Sequence, residues 1–240
     1  MTKYAKTLSN LIKQSDRVNK YAVNEAAKLI AECIKNDGII YMFGCGHSLL
    51  IAQDCFYRAG GLSNVQPIFV PKLMLHISAS NSSKLEKDEA NAPKIFDEYN
   101  VTDKDILFVF STSGINGVPI EVAKSFKDKG LKVISMGSSS YFNEKSRHSS
   151  GKILKDFCDI FIDNCVPKGD AVLELDNDSK AVPVSTSIST FLMQSCIYQA
   201  ILLCKKNNIN VDYFESGNLS KNKEKNNELV SKYKERIKHL

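Results

Sequence analysis

Residues 39–48 read Ile39-Ile40-Tyr41-Met42-Phe43-Gly44-Cys45-Gly46-His47-Ser48. Five apolar residues without polar alternation predict a short strand buried on both faces, the habit of a parallel sheet covered by helices. The run stops in a glycine loop, and a helical pattern continues to about Ala59, closed by Gly60-Gly61. Upstream, Leu8, Leu11, Ile12, Val18, Val23, Ala26, Ala27, Ile30 and Ile34 recur at helical spacing, as one long helix or two shorter ones, until Asn36-Asp37-Gly38. Downstream the alternation repeats: a strand near 65–70, helical sequence over 73–98 that weakens around 78–83, and a strand over 105–110. A helix over 118–129 comes next, with Pro119 in its first turn, where a missing N–H costs nothing. Further strands are expected at 132–136, 160–163 and 172–175, then a largely apolar helix over 184–204. Strands and helices in this order predict an α/β fold, a parallel sheet with helices on both faces.

The 240 residues suffice for one large core, with a helical arm over 1–36, a ligand-binding domain over 37–206 and an extension over 207–240. No run approaches ~18 consecutive apolar residues, which argues against a membrane span. The polar N-terminus lacks the apolar centre of a signal peptide, so the expected location is the cytoplasm. The net charge of +5 is concentrated after residue 204, where nine Lys/Arg meet five Asp/Glu. That tail reads as solvated helix and loop, and nucleic acid is not the expected partner. The seven cysteines contain no CxxC and read as buried free thiols, with Cys45 in the glycine loop a candidate reactive thiol.

The loops at the strand ends carry the function. The first predicted strand ends in Gly44-Cys45-Gly46-His47-Ser48, the third in Ser111-Thr112-Ser113-Gly114, and the last helix opens with Ser185-Thr186-Ser187. Strand C-termini of a parallel sheet converge on one edge, where helix N-termini offer unpaired N–H groups to an anion. Glycine lets backbone approach the ligand, and small hydroxyls add donors without filling the space. Competing motifs fail. The GxGxxG fingerprint has Leu49 at its third glycine and no acidic residue ending the second strand. There is no GK[ST], no GxSxG, and no HxH or HExxH for a metal.

The stretches FGCGHS (43–48), FYRAGGL (56–62), FVFSTSG (108–114) with Asn116, SRHSSGK (146–152) and YKERIKHL (233–240) resemble sugar isomerase (SIS) domain proteins, above all the bacterial UPF0309 group. More distantly they resemble phosphoheptose isomerases, the isomerase half of glucosamine-6-phosphate synthase and N-acetylmuramic acid 6-phosphate etherases. The resemblance implies a three-layer αβα sandwich on a five-stranded parallel sheet, a homodimer or homotetramer, and a phosphosugar site at the strand C-termini. It implies that Ser48, Ser111, Ser113 and the Ser185/Thr186 pair hold the phosphate, with N–H groups from Thr112 and Gly114. Asn116 stands where relatives often carry a further serine. The isomerases and etherases carry a catalytic Glu about ten residues beyond the first-loop serine, whereas this chain has Arg58, with Asp54 one turn earlier.

Isomerisation or elimination on a sugar phosphate needs a positioned base and acid and no redox cofactor, so no cofactor and no metal are expected. His148, after the fourth strand, is one candidate, or else part of a capped surface loop. Arg147 beside it can bind an anion. His76, among Leu73, Met74, Leu75 and Ile77, is a second candidate or a core histidine, and Glu86 is a third. Gly46 and His47 are expected to line the pocket, and Asp170 reads as a turn residue. A phosphosugar sensor without turnover is the alternative to an enzyme, and RNA binding through the tail a weaker third.

Overall fold

In the computed structural model, which describes residues 1–175, 178–219 and 222–240, the deciding stretch becomes β1 (Ile40–Gly44), every residue of it buried. With β2 (Val65–Pro67), β3 (Ile106–Phe110), β4 (Lys132–Gly137) and β5 (Ile160–Asp163) it forms a parallel five-stranded sheet in the order β2-β1-β3-β4-β5. Alternate side chains point to opposite faces of a strand. Ile40, Met42, Phe108, Phe110, Ile134 and Met136 therefore enter one apolar layer. Ile39, Tyr41, Phe43, Leu107, Val109 and Val133 enter the other.

The first layer is roofed by α1 (Lys3–Lys35), α2 (Leu49–Cys55) and α6 (Ser185–Lys206). α1 is one continuous helix, capped by the Thr2 hydroxyl accepting from the Ala5 amide. It joins the body through Val23, Ala26, Ala27 and Ile30 and through Asn19, whose side chain bonds both backbone groups of Asp163. α6 is long and apolar enough, by length and composition, to cross a membrane. One face of it enters the first layer, with Ile188, Leu192, Met193, Cys196, Ile197, Ala200 and Cys204 buried, while Tyr198 and Leu202 on the other face are exposed.

The second layer is covered by α5 (Gly117–Asp128) and by the segment containing α7 (Lys223–Tyr233), through Leu229, Tyr233 and Ile237. The basic tail is thus not wholly solvated. Arg236 Nη2 lies 2.9 and 2.8 Å from the two oxygens of the buried Asp105, which also accept from the amides of Ile39 and Thr102.

Three elements differ from expectation. α2 stops at Cys55 and not near Ala59, because Phe56 is extended and Tyr57 adopts φ 45°. The helical 73–98 region splits into α3 (Leu75–Leu85), itself kinked at Ser78, and the short α4 (Ile95–Glu98). The strand expected at 172–175 is β6 (Ala171–Glu174), which leaves the sheet and pairs antiparallel with β7 (Lys180–Pro183).

Candidate functional site

The chain leaves β1 toward β2 on one side and later returns to place β3 on the other. The loops after β1 and β3 diverge at that switch point, opening the crevice where doubly wound sheets bind ligands. Gly44 makes the first loop feasible. A Cβ there would stand 2.7 Å from the carbonyl carbon and oxygen of Ser48, so only glycine lets β1 pass under the turn Gly46–Ser48. In the second loop the Ser111 hydroxyl accepts from the Gly114 amide at 3.2 Å, and Thr112 O accepts from Ser138 N at 2.8 Å. This folding leaves the amides of Thr112 and Ser113 without an acceptor among the described residues.

A cavity of about 340 Å³ occupies the crevice. Of the residues expected from sequence, Gly46, His47, Ser48, Glu86, Ser111, Thr112, Ser113, Asn116 and Ser185 line it. Gly114, Thr186, Arg147, His148 and His76 are not among its lining residues. Gly114 is buried behind the second loop, and His76 is exposed on α3. Arg147 Nη1 instead donates to Asn116 Oδ1, so it reaches the cavity through that side chain. His148 is buried beside α5, with Nε2 2.9 Å from Glu121 Oε2 and Nδ1 2.8 Å from Ser150 Oγ. The neighbouring Ser149 amide donates to Glu89 at 2.7 Å, so this loop is fastened both to α5, through Glu121, and to the turn Glu89–Asn91 beside it.

Asp170 and Tyr141 enter the cavity unforeseen as site residues. Tyr141 lies just beyond the C-terminus of β4, a position the strand-end rule could have flagged. Asp170 carried no such signal, since its partners lie across the β6–β7 hairpin. Its Oδ1 accepts from the amides of Val184 (3.0 Å) and Ser185 (2.8 Å), and Oδ2 accepts from the Ser185 hydroxyl (2.6 Å). It caps α6 from fifteen residues upstream.

Glu86 is placed by main-chain bonds. The first amides of α5, Gly117 and Val118, donate to Lys87 O (3.2 Å) and Glu86 O (3.0 Å). The Glu86 carboxylate accepts from Asn116 Nδ2 at 2.9 Å. Burial pushes its pKa up, opposed by Lys87, by Arg147 and by the Asn116 hydrogen bond. A carboxyl whose pKa burial raises is a candidate proton carrier. The Cys45 thiol is driven well above its ordinary value by burial, so it is no thiolate nucleophile. Neither Lys nor Arg lines the cavity, which leaves backbone amides, hydroxyls and the side chains of His47 and Asn116 as its donors among the described residues.

Residues 3–138 match the sequence model of the SIS domain. The chain is a SIS domain protein. The match begins inside α1 and ends just after β4, so it takes in both loops of the crevice. This SIS chain is 42% identical to a UPF0309 protein of Thermoanaerobacter pseudethanolicus over 91% of each chain. It is 45% identical to one of Listeria innocua, over 90% of this chain and 88% of the other. It belongs to that group. A solved phosphoheptose isomerase, GmhA from Neisseria gonorrhoeae, shares the fold with TM-score 0.54 at 16% identity, over 83% of this chain and 95% of that one. The expected αβα sandwich is therefore the fold.

Proposed function

We propose that this SIS domain protein binds a phosphorylated sugar, a hexose or amino-sugar 6-phosphate, in the cavity between the β1 and β3 loops. We further propose that it isomerises the sugar or eliminates across adjacent carbons, with Glu86 moving the proton. The observation that carries the reading is the pairing, in one cavity, of the unengaged Thr112 and Ser113 amides with the raised carboxyl of Glu86. Ser48, Ser111 and Ser113 supply hydroxyls to the phosphoryl oxygens. In the isomerisation, Glu86 takes the proton from the hydroxyl-bearing carbon beside the carbonyl and returns it to the former carbonyl carbon, while the proton of that hydroxyl passes to the carbonyl oxygen. Asn116 orients it and Arg147 steadies Asn116. The names of the SIS relatives, phosphoheptose isomerase among them, agree with a phosphosugar ligand.

A second reading is a phosphosugar sensor that regulates a partner. It is favoured by Arg58, which stands where enzymes of the family carry a carboxylate. Arg58 here pairs with Asp54, and both line a different cavity.

A thermal-shift panel of hexose and amino-sugar phosphates beside their unphosphorylated parents tests binding. A ligand at 100 times its Kd adds about 2.7 kcal/mol, or a Tm rise of roughly 5–10 °C at this size. Stabilisation by phosphorylated sugars alone supports the reading, and no shift at millimolar concentration removes it. Glu86→Gln then separates the two functions. Turnover lost with binding retained marks an enzyme, and absence of turnover in the wild type across the binding sugars marks a sensor.

A further inference from the structure

The N-terminus of α6 was expected to hold part of the phosphate through Ser185 and Thr186. Three of its donors, those nearest the cavity, are already engaged. The amides of Val184 and Ser185 and the Ser185 hydroxyl all bind one carboxylate, Asp170, at 2.6–3.0 Å. A helix N-terminus carries about half a positive charge, so a full carboxylate leaves this wall of the cavity net negative.

The arrangement is built into the backbone. Asp170 adopts φ 66° and Val182, across the base of the hairpin, φ 67°. Aspartate tolerates that left-handed conformation, whereas a β-branched residue rarely adopts it. Pairing of Ala171 with Pro183 brings the two hairpin ends together and sets Asp170 against α6. Tyr141 Oη accepts from the Gly169 amide at 2.8 Å, tying the preceding residue to the loop after β4. Tyr141, Gly169, Asp170 and Ser185 all line the cavity, together with a second carboxylate, Glu86.

We infer that Asp170 sets the ligand class of this cavity: a sugar bearing a single phosphoryl group, with hydroxyls or an amine and no second anion facing the α6 wall. The inference rests on the phosphosugar reading above and narrows it. The phosphoryl group goes to the unengaged amides of Thr112 and Ser113. The Asp170 carboxylate has lone pairs beyond its three present bonds, which accept from sugar hydroxyls or an ammonium group. A carboxylate or second phosphoryl group at that end meets a fixed like charge in a partly desolvated cleft, which selects against it.

The test is calorimetric titration with glucose 6-phosphate, fructose 6-phosphate and glucosamine 6-phosphate, against 6-phosphogluconate and fructose 1,6-bisphosphate, on wild type and Asp170→Asn. Asparagine keeps the left-handed backbone and can still accept from both amides through Oδ1, while its Nδ2 donates to the Ser185 hydroxyl, so the substitution removes the charge and reverses one hydrogen bond. The wild type is expected to bind at least one singly phosphorylated sugar about tenfold or more tighter than either doubly anionic compound. In Asp170→Asn that gap should close by about tenfold, with the singly phosphorylated sugar changed less. Equal affinity for both classes in the wild type, or a gap unchanged in Asp170→Asn, overturns the inference and leaves phosphosugar binding standing. Binding of none of the five overturns the phosphosugar reading and this inference with it.

Discussion

Gly117→Ala tests how Glu86 is held over the cavity. Gly117 does not need a left-handed φ; it needs room. A Cβ there would lie 2.6 Å from Glu89 N and 2.7 Å from Lys87 O, both backbone atoms that cannot swing aside as a side-chain tip would. The 86–89 turn must therefore retreat, straining or breaking the bonds from Gly117 N to Lys87 O and from Val118 N to Glu86 O. Each such bond contributes about 1 kcal/mol, and overpacking a fitted contact costs about 1–3 kcal/mol. Against this, alanine improves helix propensity by up to about 1 kcal/mol, less at the first helical residue. The expected net loss is about 2 kcal/mol, a Tm fall of roughly 4–8 °C for a chain of this length. Calorimetry measures the fall, and hydrogen exchange should show the Gly117-position and Val118 amides losing protection ahead of the rest of α5. A variant as stable as wild type, or stabilised by its helix propensity, would refute the close docking of this turn.

Three further outcomes are expected of the same structure. Burial holds the Glu86 carboxyl above its ordinary 4.5, so the folded state binds that proton more tightly and stability is lost as pH rises from 4.5 through the folded pKa. Glu86→Gln should therefore have a higher Tm than wild type at neutral pH, the difference shrinking toward pH 4.5; a lower Tm at neutral pH contradicts it. Arg147 is one of the groups that pull the Glu86 carboxyl down, so Arg147→Gln should move its titration, tracked by side-chain carboxyl carbon NMR, further up; a downward move removes Arg147 from the account. Arg236→Ala leaves Asp105 buried with its two amide donors but without its cation, and should cost about 3 kcal/mol in urea unfolding; a loss under about 1 kcal/mol would make the pair no more than a surface contact.

The sheet was legible because burial on both faces writes itself as unbroken apolar runs, at Ile39–Phe43 and again at 106–110. The crevice was legible because two of those runs end in glycine and small hydroxyls. The features that escaped depend on contacts between distant segments. His148 comes after a strand end, yet Glu121 and Glu89 on elements packed alongside draw its loop over α5 and away from the cavity lining. Glu86 sits in an ordinary-looking helix end and is delivered by the amides opening α5, some thirty residues later. Asp170 looked like a turn residue and is one; its capping of α6 arises from a hairpin whose pairing no local pattern announced. The tail's docking likewise depends on distant contacts, among them Arg236 reaching the buried Asp105 across 131 residues and Leu229, Tyr233 and Ile237 entering the second layer.

On the proposed reading, the crevice between the β1 and β3 loops binds the phosphoryl group of a sugar. Amide NMR of the labelled protein, titrated with glucosamine 6-phosphate and with glucosamine, tests it most directly. The Thr112 and Ser113 amide protons should move downfield with the phosphorylated sugar and stay in place with the parent. Shifts clustered elsewhere, or identical responses to both sugars, would contradict it.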